Sequence, residues 1–361
     1  MKTRPSRAGG CVFRLFLFCT LLAVVAAGAV AWSLSTPYQG FQNETIVDIP
    51  HGTATGGMAT QLQTAGVIQY RWQFLLARVL RPSARLQAGE YRFDHAASVW
   101  RVFDRIVRGD VFYYELTIPE GSNIFDIAGI VAQLGFLKSA DFLHAARDPA
   151  SVRDIAPHAT TLEGYLFPST YRLTRPTTAP QLCRMMTDLF RRRWQELKKP
   201  PNTPPVHDVV TLASLVEKET SLAEERPKVA SVYKNRLQLG MRLGCDPTTI
   251  YAALLDGRYR GVIHQSDLDS TNPYNTYQHV GLPPGPIASP GVASLQAALF
   301  PAETEYLYFV ARPDGSGGHH FSKNAAEHDR AVQEYRHGSS NANQSSPAAG
   351  SAPKPERGKR R

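Results

Sequence analysis

The sequence predicts a folded region of helices and short strands behind a single membrane anchor. Two patterns predict this: a charge-free apolar run near the N-terminus, and short β-patterned segments alternating with helical ones along the next 290 or so residues. From Leu15 to Trp32 no charged residue occurs. As a helix at about 1.5 Å per residue this run spans about 27 Å, close to the roughly 30 Å hydrocarbon core of a bilayer. Trp32 suits the far interface, and Lys2, Arg4, Arg7 and Arg14 hold residues 1–14 on the cytoplasmic side. A cleaved secretory signal is the alternative, because Ala29-Val30-Ala31 resembles a processing site. The length of the run favours a retained anchor over 15–32.

Residues 33–45 are polar, with Pro37 and Gly40, and read as a linker. Ile46 to Ile49 is then a strand stopped by Pro50 and Gly52. Met58–Ala65 and Arg71–Val79 are helical, Ala88–Phe93 turns into a second strand, and Ser98 starts a helix that runs to Val107. Ile49-Pro50-His51-Gly52 recurs as Ile118-Pro119-Glu120-Gly121, each time between a strand and a helix, with Ser122 or Asn123 as the second helix's N-cap. Further on, Leu182–Leu197 is a basic amphipathic helix, 198–205 (KKPPNTPP) breaks the chain, and helices follow at His207–Thr220 and Arg226–Leu239. Ser294–Leu299 is a short helix and Tyr306–Ala311 a buried strand. Residues 338–361 lack the apolar content for a core and read as a disordered basic tail.

The formal net charge of +9 sits at the ends: +4 lies in residues 1–14 and +4 in the last eight, which leaves +1 between them. A nearly neutral body argues against nucleic acid as a partner. Cys183 and Cys245 are far apart in sequence and would be able to pair in an oxidising compartment. No CxxC or HExxH occurs, so nothing points to zinc.

The helix from Val209 to Thr220 carries the chemistry. With Val209 at zero and about 100° per residue, Leu212, Ala213, Leu215 and Val216 define an apolar sector centred near 330°. Glu219 falls at about 280°, inside it, whereas Glu217 falls near 80°, at its edge. A carboxyl driven into apolar surroundings holds its proton, as a general acid near neutral pH must. The alternative is a structural Glu219 paired with Arg226 or Arg236; Glu217 is placed to orient a neighbour or to pair with a cation. A two-carboxylate hydrolase needs a second acid roughly 5–9 Å away, and Glu163 and Asp246 are the candidates. Tyr165 and Tyr171 beside Glu163, together with Tyr274, Asn275, Thr276 and Tyr277, offer rings and hydrogen-bonding groups suited to a sugar polymer. The stretch 281–287 (GLPPGPI) is stiff and would wall a cleft.

These stretches resemble the MltG/YceG-like family of endolytic murein transglycosylases. The matching residues are 213–220 (ASLVEKET), 225–237 (ERPKVASVYKNRL), 240–243 (GMRL), 246–251 (DPTTIY), 274–277 (YNTY) and 281–291 (GLPPGPIASPG). The resemblance covers roughly 46–335 and implies an α+β fold, with a LysM-like subdomain over 46–110 and a catalytic domain over 111–337. It implies that Glu219 is the sole acid/base, supported by Glu217. Candidate glycan contacts are Glu163, Tyr165, Tyr171, Asn235, Arg236, Asp246, Thr248, Tyr274, Asn275, Thr276 and Tyr277. It further implies 1,6-anhydro-MurNAc products, no metal or organic cofactor, peptidoglycan strands as substrate, and an inner-membrane location facing the periplasm, with peptidoglycan synthases as expected partners. Gly244-Cys245 departs from the family pattern and puts the contacts of that loop in question.

Overall fold

The computed structural model describes residues 8–345, with side chains over 13–337. The chain forms two compact units: one holds the chain up to Glu115 with Arg172–Pro176, the other Leu116–Tyr171 and the chain from Thr177 onward.

In the first unit, α1 (Ala8–Ser35) contains one stretch, Phe13–Ser35, long and apolar enough to cross a membrane. The helix outruns the expected anchor and enters the unit's core. Leu34 is 2% exposed, and the Ser33 carbonyl and hydroxyl accept from Gln73 Nε2 at 3.2 and 2.8 Å. The segment expected as a linker is thus tied down, and Tyr38 bridges to Ala97 beyond it. Strands β1 (Thr45–Ile49) and β2 (Gly89–Phe93) pair antiparallel, Thr45 opposite Phe93. Between them lie α2 (Thr55–Thr64) and α3 (Arg71–Leu80); α4 (Val99–Arg108) follows, with the Arg101 amide donating to Ser98 Oγ at its start and left-handed Gly109 at its end. Ile49, Leu62, Phe74, Tyr91, Phe103 and Ile106 fill the core.

The second unit opens on the repeated joint. Strand β3 (Tyr114–Ile118) ends at Ile118 as β1 ends at Ile49. Gly121 (φ 75°) turns left-handed as Gly52 (φ 84°) does, and α5 (Ile124–Ala132) starts three residues later, as α2 does. Helix α6 (Ser139–Ala146) and β4 (Ser169–Leu173), which pairs with β3, complete a second strand-helix-helix-strand unit. Asn123 is the N-cap of α5, accepting from the Phe125 and Asp126 amides, while Ser122 Oγ donates to the Pro119 carbonyl. Then come α7 (Ala179–Glu196), α8 (Val206–Glu219), α9 (Arg226–Gln238), α10 (Asp246–Leu255), the single turn α11 (Gln265–Leu268) and α12 (Val292–Leu299). A ribbon of β5 (Tyr308–Ala311) and β6 (His319–Ser322) precedes α13 (Ala325–Ser345).

Three expectations change. Strand β5 is only partly buried, because β6 is its one sheet partner among the described residues. Residues 338–345, expected to be disordered, continue α13, since extending a formed helix is far easier than starting one; 346–361 lie outside the described residues. Cys183 and Cys245 do not pair: each is a buried free thiol.

Helix α8 is the axis of this unit. Every residue from Val209 to Val216 is buried, so it has no solvent face along its middle. The stiff loop runs along it: His207 Nε2 meets the Pro284 carbonyl at 2.9 Å, the Ile287 amide donates to Ser214 Oγ at 3.1 Å, and the Gly291 amide to Glu217 at 2.9 Å. Gly164 is where the loop, α8 and the preceding turn come closest. It is left-handed (φ 81°), and a Cβ there would lie 2.4 Å from Pro286 and 2.9 Å from Val210. Gly164→Ala is expected to lose about 2–4 kcal/mol, from strain plus overpacking, read as a lower midpoint in denaturant unfolding with an unchanged slope.

Candidate active site

Helix α8 ends on Glu217-Lys218-Glu219, and the three residues meet different surroundings. Lys218 is exposed, with its Nζ donating to the Gly121 carbonyl at 3.1 Å. The Glu217 side chain is 5% exposed and accepts from the Arg226 guanidinium at 3.1 Å as well as from Gly291. Glu219 is partly buried, and its Oε2 accepts from the Tyr233 hydroxyl at 3.0 Å and the Cys245 thiol at 3.5 Å. Among the described residues, Glu219 has no Lys or Arg partner and Oε1 accepts no hydrogen bond. The expected contrast between the acids therefore needs correcting. Both are taken out of water, because the 284–291 loop and Arg226 cover the side of α8 that a two-faced wheel leaves open. What separates them is the partner: a cation and an amide for Glu217, two neutral donors for Glu219. Arg226 pairs with Glu217, and Arg236 is spent on the Leu243 and Leu307 carbonyls, so neither pairs with Glu219.

Burial raises the Glu219 carboxyl above its ordinary range. The hydrogen bonds from Tyr233 and Cys245 and the neighbouring His319 oppose this, while the Asp246 charge adds to it. Burial also pushes the Tyr233 hydroxyl and the Cys245 thiol well above their usual values, so both remain protonated donors at neutral pH. The result is a carboxyl shifted toward holding its proton, with Oε2 held by two donors and Oε1 accepting no hydrogen bond among the described residues.

Around it the structure gathers only part of the expected set. Asp246 is exposed beside the site and accepts from the half-buried Tyr277 hydroxyl at 2.6 Å. Tyr274 is also partly exposed, its ring 5.0 Å from that of Tyr251. Thr248 and Thr276 are buried and instead hold the Cys245 backbone: Thr248 Oγ1 donates to its carbonyl, and its amide donates to Thr276 Oγ1 at 2.9 Å. Asn275 is buried on the carbonyls of Asp267, Leu268 and Ser270. Asn235 holds the carbonyls of Thr304 and Tyr306, the strand-side counterpart of Arg236. Tyr165 bonds His207 at 2.9 Å in the core, and Tyr171 donates to the Phe167 carbonyl. Glu163, 1% exposed, accepts from the Ile124 and Gly164 amides and the Tyr251 hydroxyl. These side chains are sealed in or spent on backbone, so they build the site and do not present themselves to a sugar.

Sequence reasoning missed Tyr233, His319 and Glu225. Tyr233 had a signal, a hydroxyl on the buried Val229-Ala230-Val232 face of α9. His319 and Glu225, bonded at 2.7 Å and 94 residues apart, had none. Burial pushes Glu225 up, but the bonds and charge from His319 outweigh this and hold it low. A hollow of about 850 Å³, lined among others by Asp141 and His144 of α6 and Arg191 of α7, does not include Glu219.

Fold and site together define an enzyme-like centre built on one partly buried carboxyl that no Lys or Arg among the described residues neutralises. Comparison with known proteins gives the family. The YceG-like family profile matches residues 47–334, and the chain belongs to this family. An endolytic murein transglycosylase of Bacillus subtilis is 31% identical over 84% of this chain and 88% of its own length. One from Streptococcus pneumoniae is 28% identical over 88% of this chain, which spans 64% of that longer protein. The crystal structure of a YceG-like protein from Listeria monocytogenes superposes with a TM-score of 0.52 at 32% identity, covering 80% of this chain and 99% of that one.

Two outcomes follow. Tyr233→Phe removes a bond that favours the carboxylate, so the Glu219 pKa rises further; the alkaline limb of the pH–rate profile should move to higher pH while the maximal rate falls. An unmoved limb would mean that Tyr233 only packs. Burial raises Glu163 from 4.5 to about 7. A folded-state value above the unfolded one favours folding at acid pH, and that contribution is lost as pH rises through about 7. Wild-type protein should therefore lose up to about 3 kcal/mol of stability between pH 4.5 and 8, and Glu163→Gln should flatten that loss in unfolding experiments across the range.

Proposed function

We propose that this chain is an endolytic peptidoglycan transglycosylase with Glu219 as its sole acid/base. The observation that carries the reading is the division of labour within Glu219: Oε2 is held by two neutral donors, and Oε1 is left for the substrate. The naming of the relatives points the same way.

In the first step protonated Glu219 gives its proton to the oxygen linking MurNAc to GlcNAc. The C1–O bond breaks, GlcNAc leaves as an alcohol, and the 2-acetamido oxygen supports the electron-poor C1. Tyr233 and Cys245 then stabilise the carboxylate just formed. In the second step the MurNAc C6 hydroxyl attacks C1 and passes its proton to Glu219. The acid is restored, a 1,6-anhydro end forms, and no water is consumed. One carboxyl suffices because nucleophile and leaving group use it in turn, unlike the paired acids of most glycosidases. Glu163, sealed in the core, is unsuited to be a second acid.

We read the first unit, with its β1-α2-α3-β2 order, as a LysM-like module that helps hold the strand, and α1 as an anchor in the cytoplasmic membrane with both folded units outside. Ending nascent strands beside a peptidoglycan synthase is the role this arrangement suits.

The test is muropeptide mass spectrometry of glycan strands digested by wild-type protein and by Glu219→Gln. The variant should fold and lose anhydro product by roughly 10²-fold or more. Anhydro ends at the wild-type rate from the variant would remove Glu219 from the mechanism, and ends one water heavier from wild-type protein would make the enzyme a hydrolase.

A further inference from the structure

Helix α3 is apolar on two opposite faces. Gln73, Phe74 and Ala77 face the core of the first unit. Trp72, Leu75, Leu76, Val79 and Leu80 repeat at i, i+3, i+4, i+7 and i+8, the spacing of a helix's buried stripe. Here only part of that stripe packs inward: Leu75 and Leu76 are partly buried against the core, while Val79 is 71% exposed, Leu80 57% and Trp72 43%. Scattered exposed apolar residues are ordinary, but three large ones along one side of a single helix mark a contact surface.

The span and its surroundings identify the occupant. Gln73 of α3 bonds to Ser33, and α1 runs unbroken from the membrane span to that point. Phe13–Ser35 is 23 residues, about 34 Å of helix against a hydrocarbon core of about 30 Å, so Ser33 lies at its outer boundary. Helix α3 is therefore held at the level where lipid tails give way to headgroups. Aromatic rings flank this joint: Trp32, one residue before Ser33, is 72% exposed, and Tyr70, at the start of α3, is 47% exposed. Tryptophan and tyrosine favour this layer of a bilayer. The charge pattern fits as well. No acidic residue occurs between Asp48 and Glu90, whereas Arg71, Arg78, Arg81 and Arg85 do. Arg71 and Arg85 are exposed; Arg81 pairs with Asp104, and Arg78 binds the carbonyls that follow α3. An apolar stripe edged by arginine is the composition of a helix lying in the lipid interface.

We propose that α3 is a second membrane contact, laying Trp72, Val79 and Leu80 into the outer interface of the bilayer, with arginines toward the lipid phosphates. The inference rests on α1 being a membrane span. It adds that the first unit lies on the lipid surface and does not hang from a free tether.

Full-length protein in single-copy nanodiscs tests both statements separately, using lipids brominated along the acyl chain to quench nearby tryptophan. Wild-type emission should fall relative to unbrominated nanodiscs, and Trp32→Phe should remove part of that fall, which reports the span. The Trp32→Phe protein should still be quenched, and adding Trp72→Phe should abolish most of the remainder. Trp72 is largely exposed, so its replacement spares the core; thermal unfolding of the double variant checks this. Quenching in wild-type protein with none left in Trp32→Phe overturns the α3 contact while keeping the anchor, and is the result expected if the stripe instead meets a second copy or another protein. If Trp32→Phe leaves quenching unchanged, the anchor reading falls, and the inference falls with it.

Discussion

The ion pair between Glu217 and Arg226 decides what the end of α8 can be. It joins two side chains that are almost out of water, and Glu217 also takes the Gly291 amide. Breaking such a pair leaves an uncompensated buried charge, a loss of about 3–5 kcal/mol. The pair ties α8 to the start of α9 and to the end of the stiff loop. It also uses the cation nearest the motif. If Arg226 faced Glu219 instead, that carboxyl would be stabilised as an anion and would be a poor acid. The two glutamates of the motif thus do opposite jobs: one satisfies the charge so that the other need not.

Glu219 is tuned by effects of opposite sign, and desolvation wins. Burial acting alone would raise the carboxyl further. Tyr233 and Cys245 moderate it without introducing a charge, since their own burial keeps both protonated. A thiol is a weak donor, and at 3.5 Å the Cys245 contact is the lesser of the two. Of the two donors to this carboxyl, Cys245 is therefore the one whose replacement changes it less.

Much of the fold was legible in the sequence because it is locally encoded. The span, the strand ends at Pro50 and Pro119, the Ser98 cap, the left-handed glycines and the extents of α8 and α9 each depend on a few neighbouring residues. That the two acids meet different surroundings was legible too, but for an incomplete reason: the wheel took burial to separate them, and it is their hydrogen-bond partners that do. The contact candidates fared less well. Tyr, Asn and Thr near a carboxylate look alike whether they meet a sugar or a buried carbonyl. Thr276 meets the Cys245 amide 31 residues away, a pairing that no local pattern encodes. The Glu225–His319 pair is the extreme case, two residues brought together only by the β5–β6 ribbon folding back on α9.

Helices α8 and α3 show the same limit from opposite sides. A helical wheel reports which residues share a face; it does not report what covers that face. Along α8 the wheel left one side open, yet the 284–291 loop and Arg226 close it, and a helix that looked two-faced is buried all round through its middle. Along α3 the strongest apolar stripe suggests core, yet Phe74 and Ala77, off that stripe, are the fully buried residues, and Trp72, Val79 and Leu80 of the stripe are exposed. The first discrepancy is resolved by protein distant in sequence. The second is resolved only in part within this unit, where Leu75 and Leu76 reach the core while Trp72, Val79 and Leu80 stay exposed, and a lipid surface is the proposed cover for those three.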